Sequence, residues 1–198
     1  GEGIAAINSG SGWLGGLTNI LYEDGYWLQV NQSATLNLTG IPISPDQIYT
    51  LHSGNNLISY PLADCGSIDE VLPGDIEDCL VAILGEGIAA INSGSGWLGG
   101  LQSLCPNEGY WFTNQCNERI FTFNEPTSLA RREVLSPSPR PYNQSSKQAF
   151  YFIETIVDID IGDWILAYSG DMVIGARQWQ GEIIDVPAMG DDGSNFTS

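Results

Sequence analysis

Residues 1–17 read GEGIAAINSGSGWLGGL, and the same 17 residues recur without a change at 85–101. An identity of this length does not arise by chance, so the chain carries two copies of one sequence module. The copies diverge afterwards, but the tripeptide Gly-Tyr-Trp at 25–27 still aligns with the one at 109–111 at the same offset of 84 residues. Any account of the fold must explain this repeat.

The repeat and the composition predict four regions. They are the second half of a repeat module with a connecting strand at 1–46, a complete module at 47–124, a linker or arm at 125–147, and a β module of a second type at 148–198. The linker holds four of the ten prolines and four of the six basic residues, which favours an extended backbone. Because the first copy has no counterpart of residues 47–84, we expect it to leave an apolar face uncovered.

The pattern of apolar residues and turn residues predicts an all-β chain of tandem, small β-sandwich-like modules joined by the Pro-rich extended linker. Strand-sized segments occur at 26–30, 34–38, 57–60, 80–84, 88–91, 110–113 and 120–123. The glycines at 85 and 87 predict a tight hairpin turn, since glycine tolerates positive φ. One short helix is predicted where Ser67 and Glu70 form a capping-box pattern and Pro73 ends it.

The charge balance excludes several partners. The 198 residues include 24 acidic and 6 basic side chains, which gives a net charge of −18. Nucleic-acid backbones and anionic membrane surfaces both require a basic face, so we predict no nucleic-acid partner. No apolar run approaches the roughly 20 residues of a spanning helix, so we predict no membrane insertion.

The cysteines predict disulfide bonds. All four, Cys65, Cys79, Cys105 and Cys116, lie in the complete module, and their spacing does not match a CxxC-type metal site. Nesting along the chain suggests the pairs Cys65–Cys79 and Cys105–Cys116, although four cysteines allow other pairings. Disulfides place the protein outside the cytosol, in the extracellular space or at a cell surface.

Acidic side chains cluster in the last module. They are Asp158, Asp160, Asp163, Asp171, Asp191 and Asp192, with Asp185 in the same stretch. Calcium prefers several oxygen ligands on loops, so calcium is one interpretation, and otherwise no cofactor is expected. The other interpretation is that these aspartates cap turns and keep strand edges soluble. No spacing matches an EF-hand loop.

Catalytic motifs do not stand out. His52 is the only histidine, and no nucleophile-elbow sequence is present, so we predict that the protein is not an enzyme. A carboxylate pair such as Asp163 and Asp171 would suit a glycosidase only if both faced one cleft, which sequence spacing does not show.

The aromatic residues and sequons raise a glycan question. Exposed rings on a β-sandwich can stack on sugars, so Trp164, Tyr168 and Trp179 are candidates for a glycan-binding surface. The tryptophans that recur in the repeats are instead expected to fill the repeat cores; these are Trp13, Trp27, Trp97 and Trp111. N-glycosylation sequons occur at Asn31, Asn37, Asn143 and Asn195.

The strings LISYPL, GEGIAAIN, GWLGGL and GYW, followed by GDWILAYSGDMVIGARQW and DVPAMGDDGS, resemble repeat modules of large secreted and cell-surface proteins of environmental, mainly aquatic, bacteria. The resemblance covers nearly the whole chain apart from the linker. It implies non-catalytic β-sandwich units of exported multidomain proteins. In that family the segment after MGDDGS continues through further strands, so the last module is expected to be incomplete here.

Two incomplete modules suggest a function. Segments of one subunit can complete the sheet of the next, and head-to-tail contacts of this kind give open filaments. We therefore hypothesise a non-catalytic structural subunit of an extracellular bacterial filament or surface appendage, built from copies of itself, with residues 125–147 bridging neighbours. The alternative is a glycan-binding β-sandwich module of a secreted adhesin or multidomain enzyme.

Overall fold

A computed structural model describes residues 2–37, 39–41 and 43–193 of the chain. Over these residues the protein is mostly β and consists of several small antiparallel sheets. The prediction of an all-β fold is confirmed. Two helices of four residues each occur in the described chain, α1 (Ile68–Val71) and α2 (Gly74–Glu77).

The strands fall into three groups along the chain. The first repeat copy forms β1 (Ala6–Asn8) and β2 (Trp13–Gly15). The following residues form β3 (Tyr49–Leu51), β4 (Gly54–Ser59), β5 (Gly66–Ser67), β6 (Leu80–Gly85), β7 (Ile88–Asn92), β8 (Trp97–Gly99), β9 (Ser103–Leu104), β10 (Gly109–Asn114) and β11 (Arg119–Phe121). The last group is β12 (Gln148–Ile153), β13 (Trp164–Ser169), β14 (Met172–Gln178) and β15 (Ile184–Met189).

A five-stranded antiparallel sheet, in the order β4-β10-β6-β7-β8, forms the centre of the protein. On β10 every second residue is buried, namely Tyr110, Phe112 and Asn114, as expected for a strand with one face on a core. β6 and β7 are joined by the turn Glu86-Gly87, in which Gly87 has φ of 68°. The predicted hairpin is confirmed, and its positive φ explains the glycine.

Aromatic rings dominate the core under this sheet. Phe123 lies at the centre of the cluster, with ring centroids 5.3 Å from Tyr49, 5.2 Å from Tyr60 and 5.0 Å from Phe121. The three contacts are edge-to-face, the geometry that aromatic quadrupoles prefer. β3 and β11 pair with each other and supply Tyr49 and Phe121 to the cluster.

The disulfides are Cys65–Cys105 and Cys79–Cys116. The prediction that all four cysteines form disulfides is confirmed, but the nested pairing is wrong. Strand pairing decides the connectivity. Gly66 on β5 faces Leu104 on β9, which brings Cys65 beside Cys105, and Leu80 on β6 faces Asn114 on β10, which brings Cys79 towards Cys116.

The predicted helix begins after Ser67 as expected, but the capping box does not form. The Ser67 side chain makes no capping hydrogen bond. The Glu70 carboxylate instead accepts hydrogen bonds from the backbone N–H groups and hydroxyls of Thr127 and Ser128, which hold the chain after the last module strand against α1. Leu72 is the C-cap of α1, and Pro73 is the N-cap of α2, a helix that the sequence analysis did not predict.

The strands predicted at 26–30 and 34–38 are wrong for the described residues, and Leu38 lies outside them. These segments have no neighbouring strand to pair with their backbone groups. Pairing occurs just before them instead, where Gly25 N donates to Leu57 O at 2.9 Å and Ser59 N donates to Glu23 O at 3.1 Å. The first copy thus extends the free edge of β4.

The last group of strands forms two antiparallel pairs, the hairpin β13–β14 and the pair β12–β15, which joins its first and last strands. β15 is buried along its whole length because β14 and the hairpin β7–β8 pack against it. A Cβ on Gly175 would lie 1.7 Å from the Pro187 carbonyl oxygen, so only glycine permits this approach of β14 to β15. Residues 122–147, between β11 and β12, form neither strand nor helix.

The disulfide connectivity predicts the outcome of peptide mapping. Proteolysis without reductant should release peptides that link Cys65 to Cys105 and Cys79 to Cys116. Removing the second bond with Cys79→Ser/Cys116→Ser should lower the free energy of unfolding by about 2–4 kcal/mol, because the unfolded chain loses a constraint. Urea unfolding measures this loss. Recovery of a peptide joining Cys65 to Cys79 would contradict the strand arrangement described here.

Candidate functional site

The two repeat copies fold into the same hairpin. Ser9 N donates to Gly12 O at 2.9 Å, and Ser93 N donates to Gly96 O at 3.0 Å. The bond that closes the hairpin runs from Leu17 N to Ala5 O at 3.2 Å, and its counterpart in the second copy runs from Leu101 N to Ala89 O at 3.1 Å. The φ angles of the paired glycines agree as well, for example 65° at Gly3 and 68° at Gly87. The hairpin conformation is therefore encoded by its own 17 residues.

The surroundings of the two hairpins differ sharply. The Trp97 side chain is 7% exposed and belongs to the core, whereas its counterpart Trp13 is 70% exposed. Ile7 is 71% exposed, while its counterpart Ile91 is half-buried. The expectation that all repeat tryptophans fill a core is therefore wrong for Trp13, and it holds for Trp97. Trp27 and Trp111 are half-buried.

One side of the second hairpin is covered by its own module. β7 pairs with β6 as well as with β8, whereas β1 pairs only with β2 among the described residues. The Trp97 indole N–H donates to the Glu77 carboxylate at 2.8 Å, which satisfies its buried donor. Hairpin 85–101 is thus both strand-paired and packed.

The other side of the second hairpin is covered by the last group of strands through one ion pair. Asp185 on β15 has no exposed surface, and its carboxylate accepts hydrogen bonds from Ala89 N at 3.1 Å and Gly100 N at 2.5 Å. Arg177 Nη2 donates to Asp185 Oδ2 at 2.7 Å and to Gly87 O at 2.6 Å. Arg177 and Asp185 together therefore bind three backbone groups of the hairpin.

A glutamine from β12 holds the hairpin turn in the same way. The Gln148 amide nitrogen donates to Gly85 O at 3.1 Å, and its amide oxygen accepts from Gly87 N at 3.2 Å. The Phe152 ring packs beside Gly99, where an added Cβ would lie 2.9 Å from it. The contact consists of side chains from one sheet group bonded to main-chain atoms of the hairpin.

The electrostatics of this contact follow from its burial. Burial raises the pKa of Asp185 above the ordinary range of aspartate, and the Arg177 guanidinium and the two amide donors act in the opposite direction. The donors that bond the carboxylate are the Arg177 guanidinium and the amides of Ala89 and Gly100. Removing Arg177 would leave a buried carboxylate without a counter-charge, which is strongly unfavourable.

The first hairpin meets none of these side chains. It is attached at its start, where the Glu2 carboxylate accepts from Leu57 N and lies 3.1 Å from His52 Nε2. The other ring nitrogen, His52 Nδ1, lies 2.8 Å from Ser53 O. Both ring nitrogens face acceptors, so these contacts, that with Ser53 O first, raise the pKa of His52 above its ordinary value.

Three of the aspartates proposed as calcium ligands accept hydrogen bonds from nearby protein groups. Asp163 accepts from Asp160 N at 3.1 Å, Asp192 accepts from Ser146, and Asp191 accepts from Gly193 N at 2.8 Å. Asp158 and Asp171 lie on exposed turns. Within residues 2–37, 39–41 and 43–193, no three His, Cys, Asp or Glu side chains come together as metal ligands would. The turn-capping interpretation describes Asp163 and Asp191 here.

The three aromatic residues proposed for glycan stacking do not share a surface. Trp179 is only 6% exposed, so its ring faces are not accessible to a sugar, and Tyr168 is exposed. Trp164 is half-buried and lines a groove of about 660 Å³ between residues 133–144 and strands β13–β14, together with Tyr142, Gln178 and Gln180. Of the three proposed sugar-stacking residues, Trp164 is the one that lines a groove.

The sequons fall on exposed or irregular chain where the structure describes them. Asn31 and Asn37 are exposed and lie in the strand-free segment that follows the first hairpin, and Asn143 lies in the irregular segment before β12. Asn195 lies outside the described residues.

Sequence reasoning missed the roles of Arg177 and Asp185. Arg177 is the only basic residue outside 119–147, which made it conspicuous in an acidic chain. Asp185 interrupts the apolar run Ile183-Ile184-Asp-Val186, and a charge in such a run usually has a buried partner. Both signals were present, but they did not reveal that the partner groups lie in the repeat.

A matched pair of substitutions tests the difference between the hairpins. Trp97→Ala should lower the free energy of unfolding by about 3–5 kcal/mol, because it removes a buried ring from the core. Trp13→Ala should change it by less than about 0.5 kcal/mol in dilute protein, because the ring is exposed there. Urea unfolding of both variants measures the difference. Equal losses would contradict the assignment of one buried and one exposed copy.

The Glu2–His52 contact predicts a pH dependence. Since the folded-state pKa of His52 is raised, its contribution to attachment of the hairpin is complete below the unfolded value of about 6.5 and is lost as pH rises through the folded-state pKa. Glu2→Gln should lower the His52 pKa. NMR titration of the single histidine measures it, and an unchanged pKa in the variant would show that Glu2 does not contact the ring.

The two helices of the described chain have four residues each, and neither has the length or apolar character needed to cross a membrane.

Comparison with known proteins adds no relative to this description. No protein-family model, no curated protein and no solved structure matches the chain.

Proposed function

We propose that this chain is a non-catalytic structural subunit of an extracellular filament or surface appendage, and that copies of it assemble head-to-tail. In this proposal one copy covers the exposed hairpin 1–17 of the next by strand or module complementation. The observation that carries the proposal is that most residues of the repeat are buried or half-buried at 85–101 but exposed at 2–17, with Trp97 7% exposed and Trp13 70% exposed.

The energetic argument starts from the exposed side chains of the first hairpin. Ile4, Ile7, Trp13 and Leu14 are all at least half exposed, although their counterparts are half-buried or buried. Burial of a large apolar side chain stabilises a contact by about 1.5–3 kcal/mol. In the β1–β2 register Ile7 lies opposite Leu14 on one face of the hairpin, and Trp13 lies on the other face. The exposed apolar side chains on a preformed hairpin favour association, since little conformational entropy is lost when it binds.

The strand edge supports the same proposal. β1 has one neighbour among the described residues, and its counterpart β7 has two. A free edge of this kind accepts an added strand from another chain through main-chain hydrogen bonds. Such a contact is heterologous, so repetition of it gives an open filament where the rotation between successive copies does not close a ring.

We assign the regions of the subunit accordingly. Residues 1–46 would carry the accepting hairpin, 47–124 the complete module, 125–147 an extended arm and 148–198 the second β module. Support for the arm comes from its lack of strands and helices. Its first residues stay on the complete module of the same chain, where Arg132 Nε donates to the Glu108 carboxylate at 2.8 Å.

The two disulfides support the proposed location. Disulfides persist in oxidising compartments, so the protein belongs to a non-cytoplasmic environment. Placement at a cell surface or in an extracellular filament is the further step of the proposal. It agrees with the resemblance of the sequence strings to modules of exported bacterial proteins and with exposed sequons such as Asn31.

A glycan-binding module is the second candidate, and one groove favours it. The rings of Trp164 and Tyr142 and the amides of Gln178 and Gln180 line the same cavity of about 660 Å³. Sugar recognition combines an aromatic face with planar amides in this way. Glycan-array binding that disappears with Trp164→Ala would support this candidate, and an array without hits would remove it.

Self-association tests the main proposal. We expect the purified chain to form elongated particles as its concentration rises, visible by electron microscopy and measured by sedimentation velocity. Ile7→Ser should weaken association at least tenfold, because Ile7 lies on the exposed hairpin. Ile120→Ser is the matched control, since Ile120 on β11 is 64% exposed against 71% for Ile7, and it should associate like the unmodified chain.

Two outcomes would count against the proposal. A chain that stays a compact monomer at all concentrations is not a filament subunit. Equal weakening by both isoleucine variants would mean that association is a general property of exposed apolar residues and does not depend on the hairpin.

A further inference from the structure

The second β module binds hairpin 85–101 through atoms that the repeat duplicates. Asp185 accepts from the N–H groups of Ala89 and Gly100, and Arg177 donates to the carbonyl of Gly87. All three partners are main-chain groups of the hairpin. The same three groups therefore exist in the first hairpin, at Ala5, Gly16 and Gly3.

These three counterparts are accessible and already arranged. Gly3, Ala5 and Gly16 are exposed. The φ angles of Gly3 and Gly87 differ by only a few degrees, and the hairpin-closing bond is the same in both copies. The first hairpin thus presents, without rearrangement, the backbone geometry that receives Arg177 and Asp185 in the second.

The glycine at position 16 carries a further argument. At Gly100 an added Cβ would lie 2.5 Å from Asp185 Oδ1, so docking of the aspartate requires glycine. At Gly16 the nearest atom to an added Cβ is Ile4 Cγ2 at 3.8 Å, and φ is not positive there. The exposed hairpin itself therefore does not need glycine at 16, whereas a docked Asp185 would.

We propose that hairpin 1–17 is a docking site for the second β module of another copy of this chain. Asp185 of that copy accepts hydrogen bonds from Ala5 N and Gly16 N, and its Arg177 donates to Gly3 O. This inference rests on the proposed function and names the surfaces that meet. It makes one link of a head-to-tail chain, from the second β module of one subunit to hairpin 1–17 of the next.

The link is an exchange of equivalent contacts. A second β module that docks on a neighbour leaves its own hairpin 85–101, and the bonds that it loses and gains are the same. The intrachain arrangement is favoured in dilute protein by its high effective concentration, and the interchain arrangement becomes populated as the protein concentration rises. Residues 134–147, extended at about 3.1 Å per residue, reach roughly 40 Å, and this reach sets the largest separation over which the second β module can cross to a neighbour.

Charge does not oppose the contact at short range. Arg177 and Asp185 form a neutral pair, and Glu2 is the only charged side chain of residues 1–17. The net charge of −18 makes copies repel at a distance. That repulsion is screened beyond about 8 Å at physiological ionic strength, so it slows encounter more than it weakens a formed contact.

Glycine-to-alanine variants of the full chain test the proposal by sedimentation velocity over a concentration series. Gly16→Ala should weaken association at least tenfold, because the new Cβ meets the docked Asp185. Gly40→Ala is the matched control: no atom lies within 4 Å of an added Cβ there, and φ is not positive, so association should stay unchanged. Both variants should keep the unmodified stability in dilute protein.

A second variant works in the opposite direction. Gly100→Ala displaces Asp185 from its own hairpin, so the second β module becomes free and association should strengthen at a given concentration. The double variant Gly16→Ala/Gly100→Ala should lose this gain. If the double variant associates as strongly as Gly100→Ala, the gain comes from exposed surface alone and docking on the first hairpin is wrong.

The outcomes separate this inference from the proposed function. If Gly16→Ala associates like the unmodified chain while Ile7→Ser does not, the hairpin mediates assembly without Asp185, and only the inference is overturned. If the unmodified chain and Gly100→Ala both remain monomeric, assembly itself fails and both are overturned.

Discussion

The buried carboxylate of Asp185 is the constraint that holds strands β12–β15 against the hairpin β7–β8. It has no exposed surface, and a charge in that position is tolerated only when donors surround it. Arg177 supplies one donor from the adjacent strand, and the amides of Ala89 and Gly100 supply two more from the repeated hairpin. Separation of the two groups would leave an ion pair with unmet hydrogen bonds, so the carboxylate fixes where the last strands sit and explains why Gly100 is glycine.

The repeat shows that the hairpin conformation depends on the local sequence, whereas the burial of its side chains depends on the neighbouring elements. Seventeen identical residues give one hairpin with the same turn bonds and glycine conformations in both places. Burial of Trp97 and exposure of Trp13 depend on the elements around each hairpin. The first hairpin exposes apolar side chains and backbone groups, and the second copy shows that Asp185 and Arg177 can bond those backbone groups. This comparison supports the proposed structural role in self-assembly.

Sequence patterns predicted the parts of the fold that depend on local order. The strands at 80–84, 88–91 and 110–113, the turn at Glu86-Gly87 and the helix after Ser67 all follow from periodicity and turn residues. The disulfide pairing did not, because it depends on β5 meeting β9 and β6 meeting β10. The site was predicted least well. Asp185 was grouped with exposed aspartates, since its partners lie about 90 residues earlier and are main-chain groups that leave no mark in the sequence.

Amide hydrogen exchange at four residues distinguishes a docked first hairpin from an exposed one. Ala89 and Gly100 bond Asp185 within the chain, and Ala5 and Gly16 are their exposed counterparts. In dilute protein the first pair should exchange slowly and the second pair fast. As the protein associates, Ala5 and Gly16 should become protected to the same degree as Ala89 and Gly100 are in dilute protein. Fast exchange of Ala5 and Gly16 in fully associated protein would contradict the account.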